Sequence, residues 1–270
     1  MQTIKLPWQE LAEDTYRSVF TQSKTVFDLS ALWLMVAVLL VFLGFGVYPQ
    51  LTADDLGGIE AYLSLPVVLG LFGLVTVAIF ATRWTRWITL DHLPQLGQGM
   101  VLGKTELKVG WAAVESLTLG LAPFVAAVAA DSYLTNAFGA EIALGLQGLG
   151  LFLGVVLLAR FGMAVNLAAL HLPGDALIGA FRLTQGQGLR LVLLLLISVG
   201  PAVLASWGMA WMLDWAIEPM PDLLPFEMRQ SLLLVLTAAM GFVGGMLFLG
   251  AMGLAARSLI LAGEDPWEAT

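Results

Sequence analysis

Few residues in this chain are equipped for chemistry. Glu115 and Arg160 are the ionisable side chains that would lie nearest the hydrocarbon of a membrane, and Asn166 and Gln147 are the strongly polar ones in the same segments. A charge inside a membrane segment costs about 3 kcal/mol by insertion scales, so it is a functional candidate by default. Both charges fall toward the ends of their segments that carry other basic residues, where an arginine can extend its head to water. They could pair with each other and fasten a hairpin. Asn166 could bond across helices, and all four could line one path. His92 stands next to Asp91, and His171 stands four residues before Asp175. Two imidazoles and two carboxylates are plausible zinc ligands. Each histidine, however, is followed two residues later by a proline, Pro94 and Pro173, which stops a helix. Turn chemistry is therefore the expectation, and no metal. Gly186 and Gly188 lack the lysine and serine of a phosphate loop. No Ser/His/Asp set is present. The chain has no cysteine, which removes thiol nucleophiles, thiolate metal sites and disulfides. The expectation is no catalytic residue, no metal and no cofactor.

The elements that must hold these residues are apolar. The chain has 270 residues, of which 59% are hydrophobic and 12% charged, and its mean hydropathy is +0.88. Soluble domains carry about 25% charged residues. Six runs lack Asp, Glu, Lys and Arg: Leu29–Ala53, Ala61–Thr82, Ser116–Ala130, Ile142–Ala159, Leu191–Leu213 and Gln230–Ala256. A membrane helix needs about 20 mostly apolar residues. Four runs meet this outright. The third reaches it by extending back past Glu115 to Trp111, and the fourth by extending past Arg160 to Leu170. Backbone groups in lipid must be bonded within their own segment, so helix is the natural reading. The alternation of barrel strands is absent. Met1 to Asp28 is polar and amphipathic, unlike a cleavable signal.

Lysine and arginine set orientation. Lys5, Arg17 and Lys24 precede the first run; Arg83, Arg86, Lys104 and Lys108 lie between the second and third; Arg182 and Arg190 lie between the fourth and fifth; Arg257 follows the sixth. With Arg160, that puts eleven of the twelve basic residues on one side, and Arg229 alone on the other. The basic side is expected to be cytoplasmic, with both termini inside. The net charge of −8 argues against nucleic acid as a partner. In the N-terminal segment Trp8, Leu11, Ala12, Thr15, Tyr16, Val19 and Phe20 share one helical face, which predicts an interfacial helix lying on the cytoplasmic surface. Tryptophans near the predicted ends, among them Trp84, Trp87, Trp111, Trp211 and Trp215, read as an interfacial belt. Gly150/Gly154 and Gly241/Gly245 have the spacing that lets helices approach closely. Pro66, Pro123 and Pro201 are candidate kinks in the second, third and fifth runs.

A unit of surface helix, span out, span back and proline turn recurs three times. The turns are Leu90-Asp91-His92-Leu93-Pro94, Leu170-His171-Leu172-Pro173 and Leu261 to Pro266. Segments mixing charged and apolar residues follow the first two, at Leu102 to Glu115 and Asp175 to Arg190. The reading is an all-α, polytopic membrane protein of six transmembrane helices. They form one integral membrane domain over 1–270, with three pseudo-repeated hairpins at about 1–94, 95–174 and 175–270, each preceded by an amphipathic surface helix. Parallel repeats of this kind occur in transporters.

Three stretches carry a family resemblance: EDTYRSVFTQSKTVFDLSALWL, RWTRWITLDHLPQLG and AFRLTQGQGLRLVLLLL. They resemble a family of uncharacterised six-span inner-membrane proteins common in alphaproteobacteria, itself distantly similar to the membrane domain joined to some glycerophosphodiester phosphodiesterases. The family's surface segment reads approximately A-W-R-L-T-R-G-N-G-x-R-L. Ala180, Arg182, Leu183, Thr184, Gly186, Gly188, Arg190 and Leu191 match it, whereas Phe181, Gln185 and Gln187 depart. Glutamine at 185 removes a basic contact to anionic lipid. The resemblance implies a fold and a bacterial inner-membrane location, and no hydrolytic activity.

The functional expectation is a non-catalytic membrane protein, an accessory, scaffold or assembly subunit, with the lipid bilayer and other membrane-protein subunits as partners. The alternative is a small-molecule or lipid transporter using the interface between repeats. On that alternative Glu115, Arg160, Asn166 and Gln147 converge on one cavity. Arg83, Arg86, His92, His171, Arg182 and Arg190 are the expected cytoplasmic-surface contacts.

Overall fold

A computed structural model describes residues 6–43, 59–90, 103–170, 174–217 and 226–261. Among these, every regular element is a helix. In chain order they are α1 (Trp8–Phe20), α2 (Ser23–Val41), α3 (Ile59–Leu90), α4 (Lys104–Ala129), α5 (Asp131–Phe138), α6 (Ala140–Phe161), α7 (Met163–Ala169), α8 (Ala176–Leu183), α9 (Gly188–Ile217) and α10 (Phe226–Leu261). Five stretches are long and apolar enough to cross a membrane: Val67–Leu90, Lys104–Ala129, Ala140–Ala169, Gly188–Met212 and Val235–Leu261. The first expected span, Leu29–Ala53, is described only as far as residue 43, within and just past α2. Its remainder lies outside the described residues, as do the turns at His92, at His171 and at Pro266.

Local chemistry accounts for the ends. The Asp175 carboxylate caps α8, accepting from the backbone N–H groups of Leu177 and Ile178. Glu106 accepts from the Gly103 N–H at the start of α4, at 3.0 Å. Gly139 joins α5 to α6 with φ 90°, and Gly186 turns the chain into α9 with φ 75°; a β-carbon is disfavoured at both. Three of the four threonines of α3 return their hydroxyls to their own helix, Thr76 to Phe72, Thr82 to Ala78 and Thr89 to Thr85. This satisfies them in apolar surroundings.

The segment from Leu102 to Glu115 is not a separate surface helix. From Lys104 it runs without a break into the third span as α4, because Gly110 and Trp111 offer no proline or cap to stop it. The N-terminal helix does not lie flat beneath the bundle. The Leu6 N–H reaches Gln187 and the Tyr16 hydroxyl reaches Ile197, ten residues further along both segments. α1 therefore runs alongside the first turns of α9 in the same direction, and also packs on α10 and α2.

Five spans form a ring. α3 touches α4, α4 touches α6, α6 touches α9, α9 touches α10, and α10 returns to α3. α2 packs outside this ring against α3 and α10. Burial is lopsided. At the basic end Ile79 to Ala81, Trp84, Trp87, Ile88, Leu183, Leu191, Leu194, Met252 and Leu259 are buried, with every residue of α7. Trp84 and Trp87 are thus core residues and not members of an interfacial belt; the Trp84 indole donates to the Met246 carbonyl at 3.0 Å. At the opposite end, Ala143 is the one buried residue among 140–149.

Candidate functional site

The polar candidates are dispersed. The Gln147 amide donates to the Asp131 carboxylate at 2.6 Å, joining α6 to α5 at the end away from the basic residues. Asn166, fully buried on α7, accepts from the Thr85 hydroxyl of α3 at 2.6 Å, while its Nδ2 has no hydrogen-bond partner among the described residues. Arg160 lies over the Phe181 ring of α8, with Cζ 4.7 Å from the ring centroid, and its Nε is buried with no hydrogen-bond partner among the described residues. Glu115 and Arg160 do not pair: the one salt bridge among the described residues joins Arg17 to Glu13 on the exposed face of α1. Gln147, Asn166 and Arg160 therefore meet different partners, and none of the four is among the described residues lining the cavities below.

Three of the surface candidates have contacts within the bundle. Arg83 sits over the Trp33 ring of α2, 5.7 Å from its centroid. The Arg86 Nε donates to the Ala169 carbonyl at 3.1 Å and so caps α7. Arg190 donates to Gln187 at 3.3 Å, and Arg182 is half-buried on α8. His92 and His171 lie outside the described residues. Among the described residues no three His, Cys, Asp or Glu gather as metal ligands.

What the fold does build is an apolar cavity of about 680 Å³ inside the five-helix ring. Val77 and Ala81 of α3, Leu117 of α4, Leu158 of α6, Val203 and Trp207 of α9, and Met240 and Phe248 of α10 are among its walls. Gly162 and Val165 bound it toward the basic end. Among the described residues, its hydroxyl-bearing walls are Ser116, Ser206 and Thr237, and no charged residue lines it. The Ser116 hydroxyl is already committed to the Phe161 carbonyl at 2.7 Å. A second apolar cavity, about 550 Å³, lies between α2, α3 and α10. The two share Val77, Thr237, Gly241, Gly245 and Leu249. The interior is open: Val77 and Leu117 remain half exposed, and Trp207 is 77% exposed.

The two glycine pairs have opposite uses. A β-carbon on Gly154 would lie 2.5 Å from the Gly120 carbonyl oxygen, and one on Gly150 would lie 2.8 Å from that of Pro123. This pair brings α6 against α4, as its spacing predicts. Gly241 and Gly245 have nothing within 4 Å of such a carbon. They are not a packing motif; their missing side chains leave the space of the two cavities. Sequence reasoning missed this cavity, because the wall residues are ordinary apolar ones on five separate helices. It also missed Thr85, Gln187 and Tyr16, whose partners are 81 to 182 residues away. No family model, curated protein or solved structure matches the chain.

Proposed function

We propose that this chain is a non-catalytic integral membrane protein that seats one apolar chain, a lipid tail, inside its ring of helices. The cavity carries this reading. Its volume falls in the range of ligand sites, about 300–1,000 Å³, and the described residues of its wall include no charged group to meet an ion or a charged solute. A charged substrate crossing such a wall would lack the paired ionisable groups that polar pathways employ. The dispersal of Glu115, Arg160, Asn166 and Gln147 weighs against a polar-solute transporter for the same reason. A role as accessory, scaffold or assembly subunit is the second reading. It is favoured by Trp207, Trp211 and Trp215, which form an exposed stripe at i, i+4, i+8 along α9, a surface of the type enriched at protein interfaces.

The arrangement in the membrane belongs to the same proposal. α2 supplies the first of six spans, and α2–α3, α4–α6 and α9–α10 are the three hairpins; each pair is in contact. The distribution of Lys and Arg supports an orientation with both termini cytoplasmic, and the bacterial inner membrane is what the family resemblance implies. Reporter fusions at the two ends test the topology.

The lipid reading is tested by filling the space. Gly241→Leu and Gly245→Leu add side chains where nothing stands within 4 Å, so the fold should tolerate them. Native mass spectrometry of the wild type released from nanodiscs should show retained lipid, and the double variant should lose it. Equal retention by a folded double variant would contradict the proposal.

A further inference from the structure

Pro201 lies inside α9. Proline has no backbone N–H, so the carbonyl four residues earlier, that of Ile197, loses its helical donor. An orphaned carbonyl in apolar surroundings has to find another. The donor here comes from the far end of the chain. The Tyr16 hydroxyl of α1 lies 2.7 Å from the Ile197 oxygen and 2.9 Å from that of Ser198. α1 is placed for this at its other end by the Leu6 N–H, which donates to the buried Gln187 just before α9 at 3.4 Å. It is also held broadside by Gly250 of α10, where a β-carbon would meet the Thr15 methyl at 3.3 Å. The residues around the proline, Val199, Ala202 and Val203, are cavity wall.

We infer that Tyr16 is a positioning residue: its hydroxyl replaces the backbone donor that Pro201 removes, so that α1 sets the bend of α9 and the width of the cavity α9 walls. The link to the cavity rests on the lipid-tail reading above. The link to the bend does not. A proline in a helix normally leaves the segment beyond it free to hinge. Here the carbonyl at the hinge is held from outside by a helix that is not one of the five in the ring. A movement of α1 would therefore be transmitted to the half of α9 that faces the cavity.

The absence of cysteine makes the test direct. Spin labels on Met212→Cys and Val128→Cys, both exposed, report the separation of α9 and α4 beyond the proline. Labels on Leu189→Cys and Lys108→Cys report it before the proline. In nanodiscs, Tyr16→Phe should shift or broaden the Met212–Val128 distance distribution and leave the Leu189–Lys108 pair unchanged. The decisive comparison is with Pro201→Ala, which restores the amide donor to Ile197. In that background Tyr16→Phe should have no effect. An unchanged Met212–Val128 distribution in Tyr16→Phe overturns the inference. So does an equal shift with and without the proline, because Tyr16 would then act by packing alone. Lipid retention measured on the same samples separates the two claims. A shift with unaltered retention upholds the control of the bend by Tyr16 and counts against the lipid-tail reading.

Discussion

At the scale of the residue, polar groups in this bundle are used to close helix contacts. The Thr85–Asn166 bond joins α3 to α7 where both are fully buried. Asn166→Ala should destabilise by about 1 kcal/mol, and a double-mutant cycle with Thr85→Val in detergent unfolding should show the two coupled. Arg182→Ala, at a half-buried site, should stay within about 0.5 kcal/mol. Tyr16→Phe should cost about 1 kcal/mol for its lost hydrogen bond. Burial pushes the Tyr16 phenol above its ordinary value. Its protonated, donating form is thus favoured in the fold. The contribution is complete below the unfolded value of about 10 and is lost as pH rises through the raised folded value. Unfolding followed from pH 8 upward should show this decline, and Tyr16→Phe should lack it. Asn166 and Gln147 were legible as polar residues set among apolar ones because they interrupt apolar runs. Their partners were not, because a hydrogen bond between residues 85 and 166 leaves no local pattern.

At the scale of the element, helix existence follows closely from uninterrupted apolar length, whereas helix ends and directions do not. The third span was expected to begin at Trp111 and begins at Lys104, because a charged amphipathic segment and an apolar one share the same helical period. α1 has the face expected of a membrane-surface helix, yet it is clad by α9 and α10. The same apolar face fits protein or lipid equally well, and only Gln187, Tyr16 and Gly250 decide between them. The glycine pairs make the sharpest contrast. Gly154→Leu must displace the Gly120 backbone and should cost at least about 2 kcal/mol by overpacking. Gly241→Leu meets open space and gains about 1 kcal/mol of helix propensity. Melting temperatures of the two variants should therefore move in opposite directions, although their sequence contexts, GLGLFLG and GFVGG, look alike.

The whole molecule is a ring tied tightly at its basic end and open in its interior. The all-helical, membrane-spanning class was readable from composition and run length. The cavity was not, because it arises where side chains are missing from one helix opposite apolar residues of four others that are far apart in sequence. A phospholipid carrying a photoreactive group on its acyl chain tests the central claim most directly. After irradiation in nanodiscs and peptide mapping, adducts should fall on the walls, at Met240, Phe248, Val199 and Leu117. They should disappear in the Gly241→Leu/Gly245→Leu variant. Adducts confined to exposed residues outside the cavity, such as Leu144 and Leu151 of α6, and unchanged by those substitutions, would show that lipid only surrounds the bundle.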